Sequence, residues 1–125
     1  MVPPAILLAA LIAVESHINP TAVGTHSELG ILQIKFGTLM DIDRIMHRQV
    51  YHPDDRLDLE KSKEMCCIYL SHYTRGTVYP NVAAMYEDMA RTWKGGPHGK
   101  HLDETTEYWH KVEAELLKTE ITVPS

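Results

Sequence analysis

ALIAVESHINPTAVGTHSELGILQ, residues 10–33, decides how this chain is read. It opens on a wholly apolar run and then places one carboxylate, Glu15, where that run ends. Asn19-Pro20 follows at once, and the residue before a proline avoids the helical region, so a helix stops there. Beyond it come two spaced glycines, Gly24 and Gly30, and a lone amide, Gln33, inside an apolar stretch. The pattern predicts a buried helix that delivers a single acid to a loop-lined cleft.

Working outward, Pro3 and Pro4 suit a first helical turn, where a missing N–H costs nothing. Ile6, Leu7, Leu8, Leu11, Ile12 and Val14 make the helix apolar on nearly every face, which places it in the middle of the domain. The same run has no basic residues before it and is too short to span a membrane, so it reads as core and not as a signal peptide. Residues 20–33 read as irregular. A second helix is expected from about Gly37-Thr38, with Leu39, Ile42, Ile45 and Met46 at helical spacing. Residues 47–57 are polar, contain Pro53 and read as a loop.

Asp58 is the expected N-cap of a third helix striped by Leu59, Ser62, Cys66, Tyr69, Leu70 and Tyr73. Asn81 is the expected cap of a fourth, with Val82, Met85, Tyr86, Met89 and Trp93 on one face, stopped by Gly95-Gly96-Pro97. A last helix carries Tyr108, Trp109, Val112 and Leu116, and residues 119–125 are expected to fray. The fold class is therefore mainly α, with about five to seven helices and little or no β-sheet.

Composition bounds the partners. At 125 residues the chain fits one domain with one core. Its net charge of -5, with no cluster of Lys and Arg, argues against nucleic acid. Six Tyr and two Trp against one Phe suit a wet groove such as a sugar site, and equally suit ordinary half-buried positions. Cys66 and Cys67 are adjacent and are expected to be free thiols, which points to synthesis in a reducing cytosol. Eight histidines include the pairs His98/His101 and His47/His52, but none has the spacing of a zinc site, and no metal is expected.

On local residues alone, Glu15 has two readings. It is a capping or ion-paired Glu at a helix end, or it is a general acid whose pKa burial raises. Trp93 and Trp109 offer sugar platforms, although their helical spacing favours core packing. Ser16 lacks a positioned His-Asp pair, so it is no nucleophile and suits a backbone bond at the helix end.

Glu15-Ser16, Asn19-Pro20, Ala22, Gly30 and Gln33 together resemble the signature of the soluble lytic transglycosylases, lysozyme-like enzymes related to goose-type lysozyme. The resemblance extends, in order, through Gly37-Thr38, Asp58-Leu59, Tyr69-Leu70, Thr92-Trp93-Lys94-Gly95-Gly96-Pro97, Thr105 to Tyr108, and Lys111-Val112. Even Val2-Pro3-Pro4 is similar to the family's entry into its catalytic helix. Three positions depart from the pattern. Gly24 stands for a Ser, Ser27-Glu28 for Gly-Ala, and Lys94 for an Asn.

The resemblance implies a single lysozyme-like catalytic domain over 1–125 acting on bacterial peptidoglycan, without cofactor, membrane insertion or nucleic acid, and as a monomer. It implies that Glu15 protonates the β-1,4 glycosidic oxygen between N-acetylmuramic acid and N-acetylglucosamine. Glu15 then takes the 6-hydroxyl proton as a 1,6-anhydro ring closes. It places Ser16, Gln33, Glu28, Trp93, Lys94, Gly95 and Tyr108 at the substrate. Glu28 as a second carboxylate would suit water activation in an inverting hydrolase, at a separation of roughly 6.5–9.5 Å; the plain alternative is a solvated loop residue. An inactive wall-binding or virion module is the rival from outside the enzymes. With no export signal of its own, the protein is expected to reach the wall from the cytoplasm by phage or other delivery.

Overall fold

The computed structural model describes residues 2–122, with side chains through Lys118. Five α-helices carry the fold: α1 (Ala5–Ser16), α2 (Phe36–Met46), α3 (Leu59–Thr74), α4 (Val82–Gly95) and α5 (Glu104–Thr122). Short 3₁₀ turns stand at Pro53–Leu57 and Gly99–His101. The only β pairing among the described residues is two isolated antiparallel bridges, Val23 with Leu29 and Leu29 with Ile34. The expected fraying over 119–125 concerns side chains, and at 123–125 the backbone too, that lie outside the described residues.

Local chemistry sets the helix ends. The Asp58 carboxylate accepts from the Lys61 N–H at 2.9 Å, and the Asn81 amide oxygen accepts from the Ala84 N–H at 2.8 Å. Each satisfies a donor that a helix start leaves open. Pro4 is the residue just before α1 and not within its first turn. The expected loop over 47–57 contains the Pro53–Leu57 turn, held by the Asp55 carboxylate accepting from the His52 N–H at 2.8 Å. Tyrosine–carboxylate bonds then staple the chain: Tyr51 to Glu64 at 2.9 Å, Tyr73 to Asp41 and Tyr79 to Asp88.

α5 packs on α1 and α4, α4 packs on α3, and α3 packs on α2. Leu7, Leu11, Leu32, Ile34, Ile42, Met65, Leu70, Met89 and Val112 form the fully buried centre. α1 contributes Leu7 and Leu11 to it but is not enclosed. Ala5, Ile6 and Ala9 are exposed, because α1 buries one side against α5 and the other faces solvent. Cys66 is buried, Cys67 is half-buried, and both are free. No helix among the described residues is long and apolar enough to cross a membrane.

Residues 20–35 have their own order. Leu29 and Ile34 exchange N–H···O bonds of 3.1 and 2.9 Å, and the Gly30 N–H donates to the Ala22 carbonyl at 2.8 Å. Arg56, buried in the 3₁₀ turn, donates from Nη1 to the Ile34 carbonyl at 3.0 Å. Ser62 of α3 donates to the Arg56 carbonyl at 2.9 Å. The loop is thus bolted to α3 through one arginine. The bolt requires Gly30: it has φ +85°, and a Cβ there would lie 1.8 Å from the Arg56 carbonyl oxygen. Gly30→Ala is therefore expected to destabilise the fold by about 3 kcal/mol, combining backbone strain with a steric clash. A shift of the urea midpoint smaller than a conservative surface substitution produces would contradict this role.

Candidate active site

α1 ends abruptly. His17 and Ile18 both adopt left-handed backbone, at φ 53° and 66°. Ser16 holds this reversal: its hydroxyl donates to the Ile31 carbonyl at 2.7 Å and accepts from the Asn19 N–H at 3.2 Å. The turn leaves Glu15 half-buried at the mouth of a cleft of about 490 Å³. From α5, the Tyr108 hydroxyl donates to Glu15 Oε2 at 2.9 Å.

Opposing effects act on the Glu15 carboxyl. Burial disfavours its charged form and dominates, raising its pKa. The Tyr108 hydrogen bond and the ammonium groups of Lys94 and Lys35 pull it back, while the charge of Glu28 adds to the rise. Burial also pushes the Tyr108 phenol well up, so it stays a donor. The site presents a carboxylic acid that keeps its proton above the ordinary glutamate range and has a fixed orientation.

The loop adds two aimed acceptors. Gln33 Nε2 donates to the carbonyls of Gly30 at 2.9 Å and Ala22 at 3.2 Å, which fixes the amide orientation and turns Oε1 the other way. Glu28 Oε1 accepts from the His26 N–H at 2.7 Å. Backbone N–H groups, its own first, hold the Glu28 pKa down. Gln33 Oε1 and Glu28 Oε2 then converge over Gly24: a Cβ on Gly24 would lie 2.6 Å from the first and 2.8 Å from the second. The Gln33 amide oxygen and the Glu28 carboxylate thus together occupy the space that a side chain at 24 would take.

Lys94, at the end of α4, holds its ammonium 5.4 Å from the centre of the Tyr108 ring. Trp93 donates from Nε1 to the Leu32 carbonyl at 3.3 Å and meets Tyr69 edge-on at 5.6 Å, with Gly95 and Gly96 beside it on the cleft wall. Trp109 lies in the core.

The structure thus brings Glu15, Gln33, Glu28, Trp93, Lys94 and Gly95 together around one cleft, and Tyr108 lines an adjoining groove that shares Glu15, Gln33, Glu28 and Lys94 with it. Ser16 is the exception. It is buried, its hydroxyl is used on backbone, and it lines no part of the cleft, so it braces the acid without reaching substrate. Lys35, Tyr69 and Glu104 also line the cleft. Tyr69 reads from sequence as part of a core stripe and of the family resemblance but not as a cleft residue, and the two charged residues carry no sequence signal beyond their polarity. No group of three His, Cys, Asp or Glu side chains among the described residues is placed to hold a metal ion.

A helical domain with a single half-buried acid where its first helix breaks is lysozyme-like. The chain matches the family model described as the Transglycosylase SLT domain over residues 2–88, and it belongs to that family. The match spans α1, the loop, α2, α3 and the start of α4, and ends before Trp93, Lys94 and Tyr108. No curated protein matches the chain.

Two outcomes follow from the geometry. Tyr108→Phe removes a donor that favours ionised Glu15, so the pKa of Glu15 rises. A reaction that needs its proton then keeps its rate to higher pH, which a pH–rate profile reads directly as an upward shift of the alkaline limb. An unmoved alkaline limb would count against the bond. Gly24→Ala is expected to lower stability by about 1–3 kcal/mol through overpacking. Adding Glu28→Ala recovers part of that loss in a double-mutant cycle; strict additivity would mean that the two positions do not compete for space.

Proposed function

We propose that the protein is a peptidoglycan lytic transglycosylase. It cleaves the β-1,4 bond between N-acetylmuramic acid and N-acetylglucosamine and leaves 1,6-anhydromuramyl ends. One observation carries the reading: a carboxyl with a raised pKa, oriented by Tyr108 at 2.9 Å, stands in an open groove. Family membership supports the same reaction class.

Glu15 gives its proton to the glycosidic oxygen as the bond to the anomeric carbon breaks. The 2-acetamido group of the substrate stabilises the developing positive charge. Glu15, now a carboxylate held by the Tyr108 hydroxyl, takes the proton of the 6-hydroxyl, whose oxygen closes on the anomeric carbon. One carboxyl serves as acid and then as base, a substrate-assisted exception to the two-carboxylate rule. Gln33 Oε1 offers an acceptor to sugar hydroxyl or amide groups, and Trp93 and Gly95 form the wall along which the sugars lie. In this reading the protein works alone on the bacterial cell wall, as one catalytic domain and without a cofactor.

A second reading has its own observation. Glu28 has its pKa held down by backbone N–H groups, so it is ionised, and it lines the same cleft as Glu15. It would suit activation of water, giving a muramidase with reducing muramic acid ends. Mass spectrometry of digested sacculi separates the two products. Binding to sacculi without release of muropeptides would instead identify a wall-binding module.

Glu15→Gln is expected to lower the cleavage rate roughly 10³-fold. It should also stabilise the protein. The raised pKa means that the folded state binds the Glu15 proton more tightly than the unfolded state does. Stability therefore falls as pH rises from the ordinary value of about 4.5 through the raised one. At pH 7 the variant should melt a few degrees above wild type, and the gap should close below the ordinary glutamate range. Retained cleavage would remove Glu15 as the acid.

A further inference from the structure

The cleft holds two cations that the reaction outlined above does not use. Lys35, preceding α2, and Lys94, at the end of α4, line it from different elements. Lys111, which lines the adjoining groove beside Tyr108, faces Glu107 at 4.0 Å. Lys35 and Lys94 have no ion-pair partner among the described residues. On a protein with net charge -5, both are near enough to the candidate acid to pull its pKa down.

Glu15, Glu28 and Glu104 line the same cleft, and none of them forms an ion pair with either lysine among the described residues. Glu15 carries its proton when it acts, and Glu28 is held by the His26 N–H at 2.7 Å. The Lys94 ammonium is fixed over the ring of Tyr108, whose hydroxyl orients Glu15, so its position relative to the reacting bond is set. Lys35 and Lys94 are both exposed on the cleft wall, and cations so placed favour a ligand that brings negative charge.

We propose that Lys35 and Lys94 select glycan strands bearing a free carboxylate beside the scissile bond, and discriminate against strands in which that carboxylate is amidated. This rests on the glycan-cleaving reading of the site. Two parts of the wall polymer offer the chemistry: the lactyl carboxylate of muramic acid once its stem peptide is removed, and the side-chain carboxylates of an attached stem.

The test uses purified glycan strands in two forms, stem-bearing and stem-free, each with and without carbodiimide-driven amidation. At low salt, wild type should show at least tenfold higher kcat/KM on the carboxylate form, mainly through KM, and added salt should shrink the ratio. Discrimination among stem-free strands assigns the lactyl group; discrimination confined to stem-bearing strands assigns the stem. Lys94→Asn and Lys35→Gln should each reduce the ratio, and the double variant should bring it close to one. Equal cleavage of both forms by wild type would overturn the proposal, as would a ratio that survives the double variant. Lysines that acted only by tuning Glu15 would slow both forms alike and shift the pH profile while leaving the ratio, which also overturns it. Co-sedimentation of Glu15→Gln with the same four strands keeps the two readings apart. Carboxylate-dependent binding without wild-type cleavage would retain the selectivity and remove the enzyme.

Discussion

One hydrogen bond ties the two ends of the chain's chemistry together. The Tyr108 hydroxyl on α5 reaches Glu15 on α1, 93 residues earlier, at 2.9 Å. An acid at the end of an apolar helix meets two conflicting demands. Burial must be deep enough to keep its proton on, yet the carboxylate formed after proton transfer must not be left without a partner. A buried phenol meets both, since it contributes little charge of its own and still donates to the ionised form. The packing of α5 on α1 therefore orients the acid as well as closing the core.

The second constraint is the break that exposes the acid. His17, Ile18 and Gln33 hold positive φ without being glycine, and for β-branched Ile18 that is a strained conformation. Such residues persist only where surrounding bonds over-determine them. Here Ser16 grips Ile31 and Asn19, and Gln33 grips Ala22 and Gly30. Arg56 in turn fastens the Ile34 carbonyl, and through Ser62 the same arginine is anchored to α3. The core thus supports a strained loop through a short chain of hydrogen bonds, and that loop carries Gln33 and Glu28 to the wall of the acid's cleft.

Much of this was legible in the residues, and what was legible was local. Asp58 and Asn81 cap their helices because an N-cap is read from a few neighbouring residues. Glu15 and Gln33 stood out because a polar group in an apolar run is anomalous within a short window. Arg56 did not stand out: its partners are the Pro53 and Ile34 carbonyls, and nothing in a polar stretch marks which cation will be buried. The half-exposed setting of α1 was likewise hidden, because an apolar helix looks the same from sequence whether one side or all of it is covered. Lys35 and Tyr69 reach the cleft through the packing of α2 on α3, which no local pattern encodes.

Gly24 and Glu28 show why departures from a pattern are better read in space than in order. Taken singly, one looks like a lost hydroxyl and the other like a stray loop charge. In the fold, the carboxylate oxygen of Glu28 lies 2.8 Å from the point where a Cβ on residue 24 would sit. With no side chain at 24, the space beside it holds the Gln33 amide oxygen and the Glu28 carboxylate, the latter charged and held by backbone N–H groups. The added negative charge raises the Glu15 pKa, while Lys94 and Lys35 lower it. Glu28, Lys94 and Lys35 are thus electrostatically linked through the acid, and a change at one shifts the balance that the others maintain.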